Sequence, residues 1–519
     1  MTASLDTDTD QRAGPSQKFM CSAPPRVTMT SVCLVLLGLA TADRSAAFDQ
    51  YHSIPAAFIG RNSSSTRGRN NANDVIRRSS RDYASARRSR DARVSSALFH
   101  SVDDSHASAS PLPVGIESVK ELPDDFPRRE DAVEAIKAVR KACLVTMKLQ
   151  PLHSPSKDKD GTILETISTL TKQQADNSPV TVGDFAAQAI VLGHLSQAFP
   201  SDRFIAEECS SHLTANPGLL EEILAASKEH ISSSEQLCRY IDLGQSYNDD
   251  GTIGKGQTNR IWTCDPIDGT KGFIRGKLDG GQYAVCLSKL ENGTPTIGVL
   301  GCPNLPCDVD STDYKWAPGE TDANNRKSRG CIFVASKGGG CYQLPLFPDG
   351  SIQGPLRVTP NDASSTTIAD ARFCCGVESG FGDYLGQQAR IATIFHGPNA
   401  LDVKGEIVNA RRMDSQAKHG VLARGGAEIF VRLPKPGYVE WVWDHAAGFV
   451  VIEEAGGRLT SIDGQEIDFS LGAKLSPSVR GIAMTNGGIF HDRLLSAFKE
   501  QEEALLADKE EDGVEGVAL

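Results

Sequence analysis

The sequence lacks the marks of several protein classes. Its thirteen cysteines are scattered along 519 residues, with no CxxC pair and no zinc-like spacing to histidine. That excludes a metal-knuckle module and a disulfide framework, and leaves free thiols in a reducing compartment. Cys374 and Cys375, and Cys302 with Cys307, are the places where thiol regulation would be sought. Membrane-spanning runs are missing too: the apolar stretch Ser31–Ala42 (SVCLVLLGLATA) covers only twelve residues, too few to cross a bilayer. Outside one segment, acidic residues outnumber basic ones. Between Arg44 and His100 stand eleven Arg, no Lys and four Asp, a local +7, so the remainder of the chain carries −19 against −12 for the whole. Such a body does not attract nucleic acid by bulk charge, and needs cations to hold a polyanionic ligand. With 39% hydrophobic and 23% charged residues, wholesale disorder is excluded, and the length suits two or three domains.

The leader divides in two. Residues 1–43 contain Arg26, the apolar run and small residues at its end, the layout of a signal peptide, with Met20 and Met29 as alternative starts of translation. Residues 44–115 open with Phe48 in SAAF and continue rich in Arg and Ser and poor in acids, as transit peptides do. The combination resembles the bipartite leader of algae with secondary plastids and implies plastid import. Secretion and an Arg-rich nucleic-acid arm are the competing readings, and the lack of Lys and aromatics disfavours the second. No membrane attachment is expected of the mature form.

The folded body is expected as an α+β subdomain over 125–320 and an α/β subdomain over 321–500, followed by a frayed acidic tail, 501–519. Arg129–Leu149 carries a helical apolar stripe. Asp184 lies where an extended stretch gives way to a helix, Phe185–Leu195. A strand at Phe204–Ala206 leads into Glu207, Glu208 and Cys209. Residues 210–259 read as a polar, lid-like insertion with a helix at Pro217–His230. Further on, Gly330–Ala335, Thr367–Cys375, Val421–Arg424 and Ile429–Leu433 read as strands and Phe381–Ile394 as a helix.

The centre of the chain is WTCDPIDGTKGFIRG, Trp262–Gly276. Pro266 pushes Cys264–Asp265 toward extended backbone and is expected to end a strand there. Gly269 permits a tight turn, and Thr270 suits a helix N-cap. Asp265 and Asp268 would then face free N–H groups at a helix start. Hard cations take oxygen ligands and phosphate takes a helix N-terminus, so the stretch offers both parts of a metal-assisted phosphate site. The plain alternative is a turn with solvated acids. In Tyr438–Gly457, Asp444 is placed at the N-cap of an Ala/Gly-rich helix.

Together, VTVGDFAAQ, AEEC, DPIDGTKGF and WDHAAG…EEAGG resemble the lithium-sensitive, magnesium-dependent phosphatase superfamily of inositol monophosphatase. TKGFIRG, MDSQAK (Met413–Lys418) and VRLP (Val431–Pro434) are similar to its 3′(2′),5′-bisphosphate nucleotidases. The resemblance covers about 127–500 and implies a layered α-β-α-β-α sandwich of two subdomains with the metal site between them. It implies two to three Mg²⁺ ions, one on Glu207, Asp265 and the Ile267 carbonyl, one on Asp265, Asp268 and Asp444, and a weaker third on Glu207. Asp184 would act as base with Thr270 relaying the proton, and the Gly269 and Thr270 N–H groups would receive phosphate beside Asp444.

The resemblance further assigns Asp414, Ser415, Lys418 and Arg432 to a nucleotide, with the cations toward a non-scissile 5′-phosphate and Asp414 toward the adenine amino group. Where relatives carry a histidine, this chain has VESGFGDYLG and offers Tyr384. The implied activity is hydrolysis of adenosine 3′,5′-bisphosphate, with 3′-phosphoadenylyl sulfate as a further substrate. An inositol phosphate or sugar phosphatase is the alternative, and a non-catalytic nucleotide sensor the alternative of another class. The intact acids argue against the sensor. A monomer is expected.

Overall fold

A computed structural model describes residues 122–155, 180–247, 259–316, 328–347, 356–358, 367–377 and 386–511, the last seven by backbone alone. The leader, the stretch Ile163–Gln174 read as helix or strand, and Tyr384 lie outside the described residues.

Alternation of apolar residues builds the first sheet. Seven strands follow chain order: β1 (Arg203–Ala206), β2 (Arg260–Asp268), β3 (Ala284–Glu291), β4 (Thr294–Pro306), β5 (Arg329–Ser336), β6 (Gly340–Pro345) and β7 (Leu356–Val358). Only β1 and β2 pair in parallel; the others form an antiparallel meander. Both faces are covered, so the strands alternate between two apolar cores instead of between core and water. In β5, Ile332 and Val334 enter the first core, Cys331, Phe333 and Ala335 the second.

The first core is closed by α1 (Arg129–Leu149) and α2 (Val182–Ala198). The second is closed by α7 (Ala417–Ala423) and α8 (Ala446–Glu454), which lie on β4 and β5. Beyond them stands a second sheet in the order β11 (Arg458–Ser461), β12 (Ile482–Thr485), β10 (Ile429–Arg432), β8 (Phe373–Cys375), β9 (Arg411–Arg412). In β10, Phe430 points into the second core, Ile429 and Val431 into a third that is closed by α6 (Gln387–His396) and α9 (Gly488–Glu511). The layers thus run α-β-α-β-α, as expected.

Several local expectations change. The described part of 210–259 is no lid: α3 (Pro217–Ser227) and α4 (Ser234–Asp242) bury Leu219, Ile223, Leu237 and Ile241 in the first core, against α2. Its polar composition belongs to the outer faces of two amphipathic helices. Val421–Arg424, expected as a strand, is the end of α7 and its cap, since a run of three apolar residues fits a buried helix equally well. Thr367–Cys375 is a 3₁₀ turn with strand only at Phe373–Cys375. The final helix continues to Glu511, past the expected start of the tail.

Candidate active site

Proline fixes the shape of the central motif. The β2–β3 ladder runs in step from Arg260↔Glu291 to Asp265↔Cys286 and then slips, so that Asp268 faces Ala284. Pro266 has no N–H to give, and the bulge that results carries β2 on to Asp268, beyond the expected end at Asp265. The Ile267 N–H donates to Asp265 Oδ1 at 3.1 Å. Gly269 then turns the chain with φ +85°, and a Cβ there would stand 2.8 Å from the Ser415 Cβ, so both backbone and space demand glycine. Gly269 is therefore the cap, and Thr270 the first residue, of α5 (Thr270–Arg275), a correction of one position. The Thr270 hydroxyl lies 3.2 Å from the Ile267 carbonyl and 3.5 Å from Asp184 Oδ1, and its single proton serves one or the other.

Asp184 is the third residue of α2, inside the helix it was expected to precede. Thr181 caps the helix, and its N–H and hydroxyl donate to Asp184 Oδ2 at 2.8 and 2.5 Å. Burial pushes the Asp184 carboxyl up to about 7, while the bonds from Thr181 and Thr270 pull it back. Glu207 directly follows β1, whose Ala206 pairs with Cys264 of β2, so Glu207 and Asp265 lie side by side. Gln188 of α2, a residue the sequence reading missed, holds that corner. Its side chain exchanges two hydrogen bonds with the Glu208 backbone, at 2.7 and 2.9 Å.

The remaining acid comes from the other layer. Asp444 ends a 3₁₀ turn, Val442–Asp444, and His445 rather than Asp444 holds the cap of α8. Another missed residue, Gln416, joins the parts. Its N–H donates to Asp268 Oδ2 at 2.6 Å, its amide donates to the Trp443 carbonyl at 2.9 Å, and its amide oxygen accepts from Gly448 N–H at 3.3 Å. The N-terminal ends of α2, α5, α7 and α8 thereby converge on the acids.

Asp265 records what this crowding does. Burial first, and then the charges of Glu207, Asp268 and Asp444, raise its carboxyl well above the usual carboxylate range. Burial also raises Asp268, against the pull of Lys418, the Gln416 N–H, Arg432 and His445. An all-oxygen set of clustered carboxylates, with no cationic side chain hydrogen-bonded to Asp265 among the described residues, fits hard divalent cations.

The residues assigned to substrate are more occupied than expected. Asp414 is ion-paired with Arg275 of α5, which the sequence reading did not single out. Ser415 adopts φ +67°, uncommon for a side-chain-bearing residue, and its Oγ accepts from Ala417 N–H at 3.1 Å. Lys418 is almost closed to solvent, its Nζ donating to the Met413 carbonyl at 3.4 Å and standing 5.0 Å from the centre of the Phe430 ring. Arg432 binds Glu440 with both arms, at 2.9 and 3.1 Å. The described cysteines are free thiols: burial pushes Cys302 and Cys374 up to about 12, Cys375 is buried, and a hydrogen bond from Cys331 lowers half-buried Cys307.

The model of the family described as "Inositol monophosphatase family" matches residues 129–503. A 3′(2′),5′-bisphosphate nucleotidase of Schizosaccharomyces pombe is 37% identical over 69% of this chain and 91% of its own length. The enzyme of that name from Emericella nidulans is 39% identical over 64% of this chain and 90% of its own. That of Dictyostelium discoideum is 34% identical over 70% and 95%. Acid cluster, layer order and relatives lead to one statement: the chain belongs to the inositol monophosphatase family.

Proposed function

We propose that the chain is a Mg²⁺-dependent phosphatase that removes the 3′-phosphate of adenosine 3′,5′-bisphosphate, giving AMP and phosphate, and acts likewise on 3′-phosphoadenylyl sulfate. The observation that carries this reading is a buried acid cluster with a buried lysine and a partly buried arginine beside it: Lys418 and Arg432 both lower the Asp268 carboxyl electrostatically. Relatives that bear the name 3′(2′),5′-bisphosphate nucleotidase support it.

Glu207, Asp265, the Ile267 carbonyl, Asp268 and Asp444 would hold two to three Mg²⁺ ions, which when bound neutralise phosphoryl oxygens and acidify water. The other steps belong to the chain. Asp184 takes the proton of the attacking water, with the Thr270 hydroxyl orienting it; the raised carboxyl of Asp184 is matched to that work near neutral pH. The Gly269 and Thr270 N–H groups, at the start of α5, receive the phosphoryl oxygens. Lys418 and Arg432 face the phosphate that stays, and Asp414, held by Arg275, faces the adenine amino group.

Phosphate release from a panel of adenosine 3′,5′-bisphosphate, 3′-AMP, fructose 1,6-bisphosphate and inositol 1-phosphate, each with Mg²⁺, tests the reading. The bisphosphate nucleotide should be preferred; an outright preference for inositol 1-phosphate would overturn it. The leader, residues 1–115, is proposed to direct import into a plastid, and a fluorescent fusion found only outside the cell or in the cytosol would refute that.

A further inference from the structure

Glu440 was assigned no role from the sequence, yet it is a fully enclosed acid beside the site, with no exposed side-chain surface. Its backbone is tied down: the Leu475 N–H donates to its carbonyl at 2.9 Å, and the Ala473 carbonyl accepts from Val442 N–H at 2.9 Å. Its side chain therefore has one direction, inward. There it accepts Arg432 Nε and Nη2 at 2.9 and 3.1 Å and meets His445 Nε2 at 3.0 Å. One carboxylate thus fixes the plane of the Arg432 guanidinium on β10 and the ring of His445, the neighbour of Asp444, on α8.

Glu440, Asp444 and His445 bring ligand-type atoms within 4.8 Å of one another, the spacing of a cation site. The chemistry contradicts that use. Both Glu440 oxygens already accept from a guanidinium, and the Arg432 charge is held there so firmly that the Glu440 carboxyl is pulled down to about 2 in spite of burial. A cation would have to enter beside a permanent positive charge. Nor is fold stability a sufficient reason for the pair, because a buried ion pair is often matched or exceeded by apolar residues of the same volume.

We propose that Glu440 is a positioning residue that selects substrates with a second phosphate. It holds Arg432 in the orientation from which that phosphate is gripped, and through His445 it keys that grip to the segment bearing Asp444. The inference rests on the bisphosphate reading above. Arginine recognises phosphate by a planar fork, so a guanidinium rotated about its long axis loses the match even though its charge stays in place.

The test compares KM and kcat for adenosine 3′,5′-bisphosphate and 3′-AMP in the wild type, Glu440→Gln, Glu440→Asp and an Arg432→Met/Glu440→Gln pair set against Arg432→Met alone. Gln keeps the volume but offers one acceptor in place of two. The ratio of specificity constants, bisphosphate over monophosphate, should fall about 30-fold in Glu440→Gln, chiefly through KM of the bisphosphate. Asp keeps the charge one methylene short, should cost about 5-fold in the same ratio, and serves if the Gln variant does not fold. Once Arg432 is Met, removing the Glu440 charge should leave the ratio unchanged, because Glu440 acts through Arg432. An equal fall for both substrates, an unchanged ratio in Glu440→Asp, or additive effects in the pair would overturn the proposal. A wild type that does not favour the bisphosphate would sink the substrate reading instead, before any variant is compared.

Discussion

Two halves of the site handle charge in opposite ways. On the side of β2, α2 and β1, Glu207, Asp265 and Asp268 repel one another, and Asp265 is raised well above its usual range by burial and by its neighbours. On the side of β10 and α8, charges of both signs meet: Glu440 is pulled down to about 2 by Arg432 in spite of burial, and the Arg432 guanidinium is raised in turn by Glu440 although burial opposes it. On the proposed reading, cations complete the first half, whereas the second already carries its own counter-charge.

The sharpest way to break this contrast is Asp265→Asn, which keeps shape and removes the charge at the centre of the repelling half. Turnover should fall about 10³-fold, on the order of 4 kcal/mol of transition-state stabilisation. Activity within threefold of wild type at saturating Mg²⁺ would remove Asp265 from the metal set. Next in size is Lys418→Ala in the other half. Deleting a charge-assisted contact worth about 2–3 kcal/mol should lower the specificity constant for adenosine 3′,5′-bisphosphate roughly 30- to 150-fold. The poorer substrates 3′-AMP and inositol 1-phosphate should lose far less; an equal loss for all three would assign Lys418 to the fold or the metals.

Lithium offers a milder probe of the acidic half. Close to Mg²⁺ in size with half its charge, it should occupy a carboxylate site without activating the leaving oxygen, and inhibit uncompetitively with respect to substrate. Steady-state rates indifferent to millimolar lithium at limiting Mg²⁺ would count against the carboxylate geometry.

The smallest effect is on stability. In the folded, metal-free protein Asp265 and Asp184 have carboxyls raised above their unfolded values, Asp184 to about 7. At these two groups the folded state then holds more protons than the unfolded one, so their contribution to stability is fully present at low pH and is lost as pH rises through the raised values. With chelator present, the melting temperature should drop between pH 5 and 8, roughly spanning that window. Mg²⁺ or Asp265→Asn should flatten the dependence. The same pH dependence in wild type and Asp265→Asn, both in chelator, would contradict the repulsion.

How legible this was in the sequence follows the same division. The acidic half is written in short strings, because β1, β2 and α2 each carry an acid at one end and parallel pairing aligns Ala206 with Cys264. Glu207, Asp265, Asp268 and Asp184 could therefore be placed from local pattern. The paired half is not announced by its residue pattern, even where its partners are close in sequence: Glu440 lies only eight positions from Arg432. Arg275 meets Asp414 from 139 positions away, and the ion pair of Glu440 with Arg432, though local, shows no period that would single it out. Gln416 carried no signal beyond its place in MDSQAK, since a glutamine is identified as a joint only when its three partners are known. Asp444 was mispositioned because a 3₁₀ turn and a helix cap read alike in sequence, and Val421–Arg424 because three apolar residues have no period.

The Gln416 joint has a consequence for how the protein comes into being. Its bond to Asp268 closes a loop of 148 residues, and its bonds to Trp443 and Gly448 tie that closure to the last third of the chain. Contacts so distant in sequence incur their loop-closure entropy before any reward and form late. A ribosome releasing this chain has already emitted Asp184, Glu207, Asp265 and Asp268 when Asp444 is still to be made. The nascent protein is therefore an incomplete phosphatase until its final segments arrive, and the acids that would bind metal wait, mutually repelling, for the half that completes them.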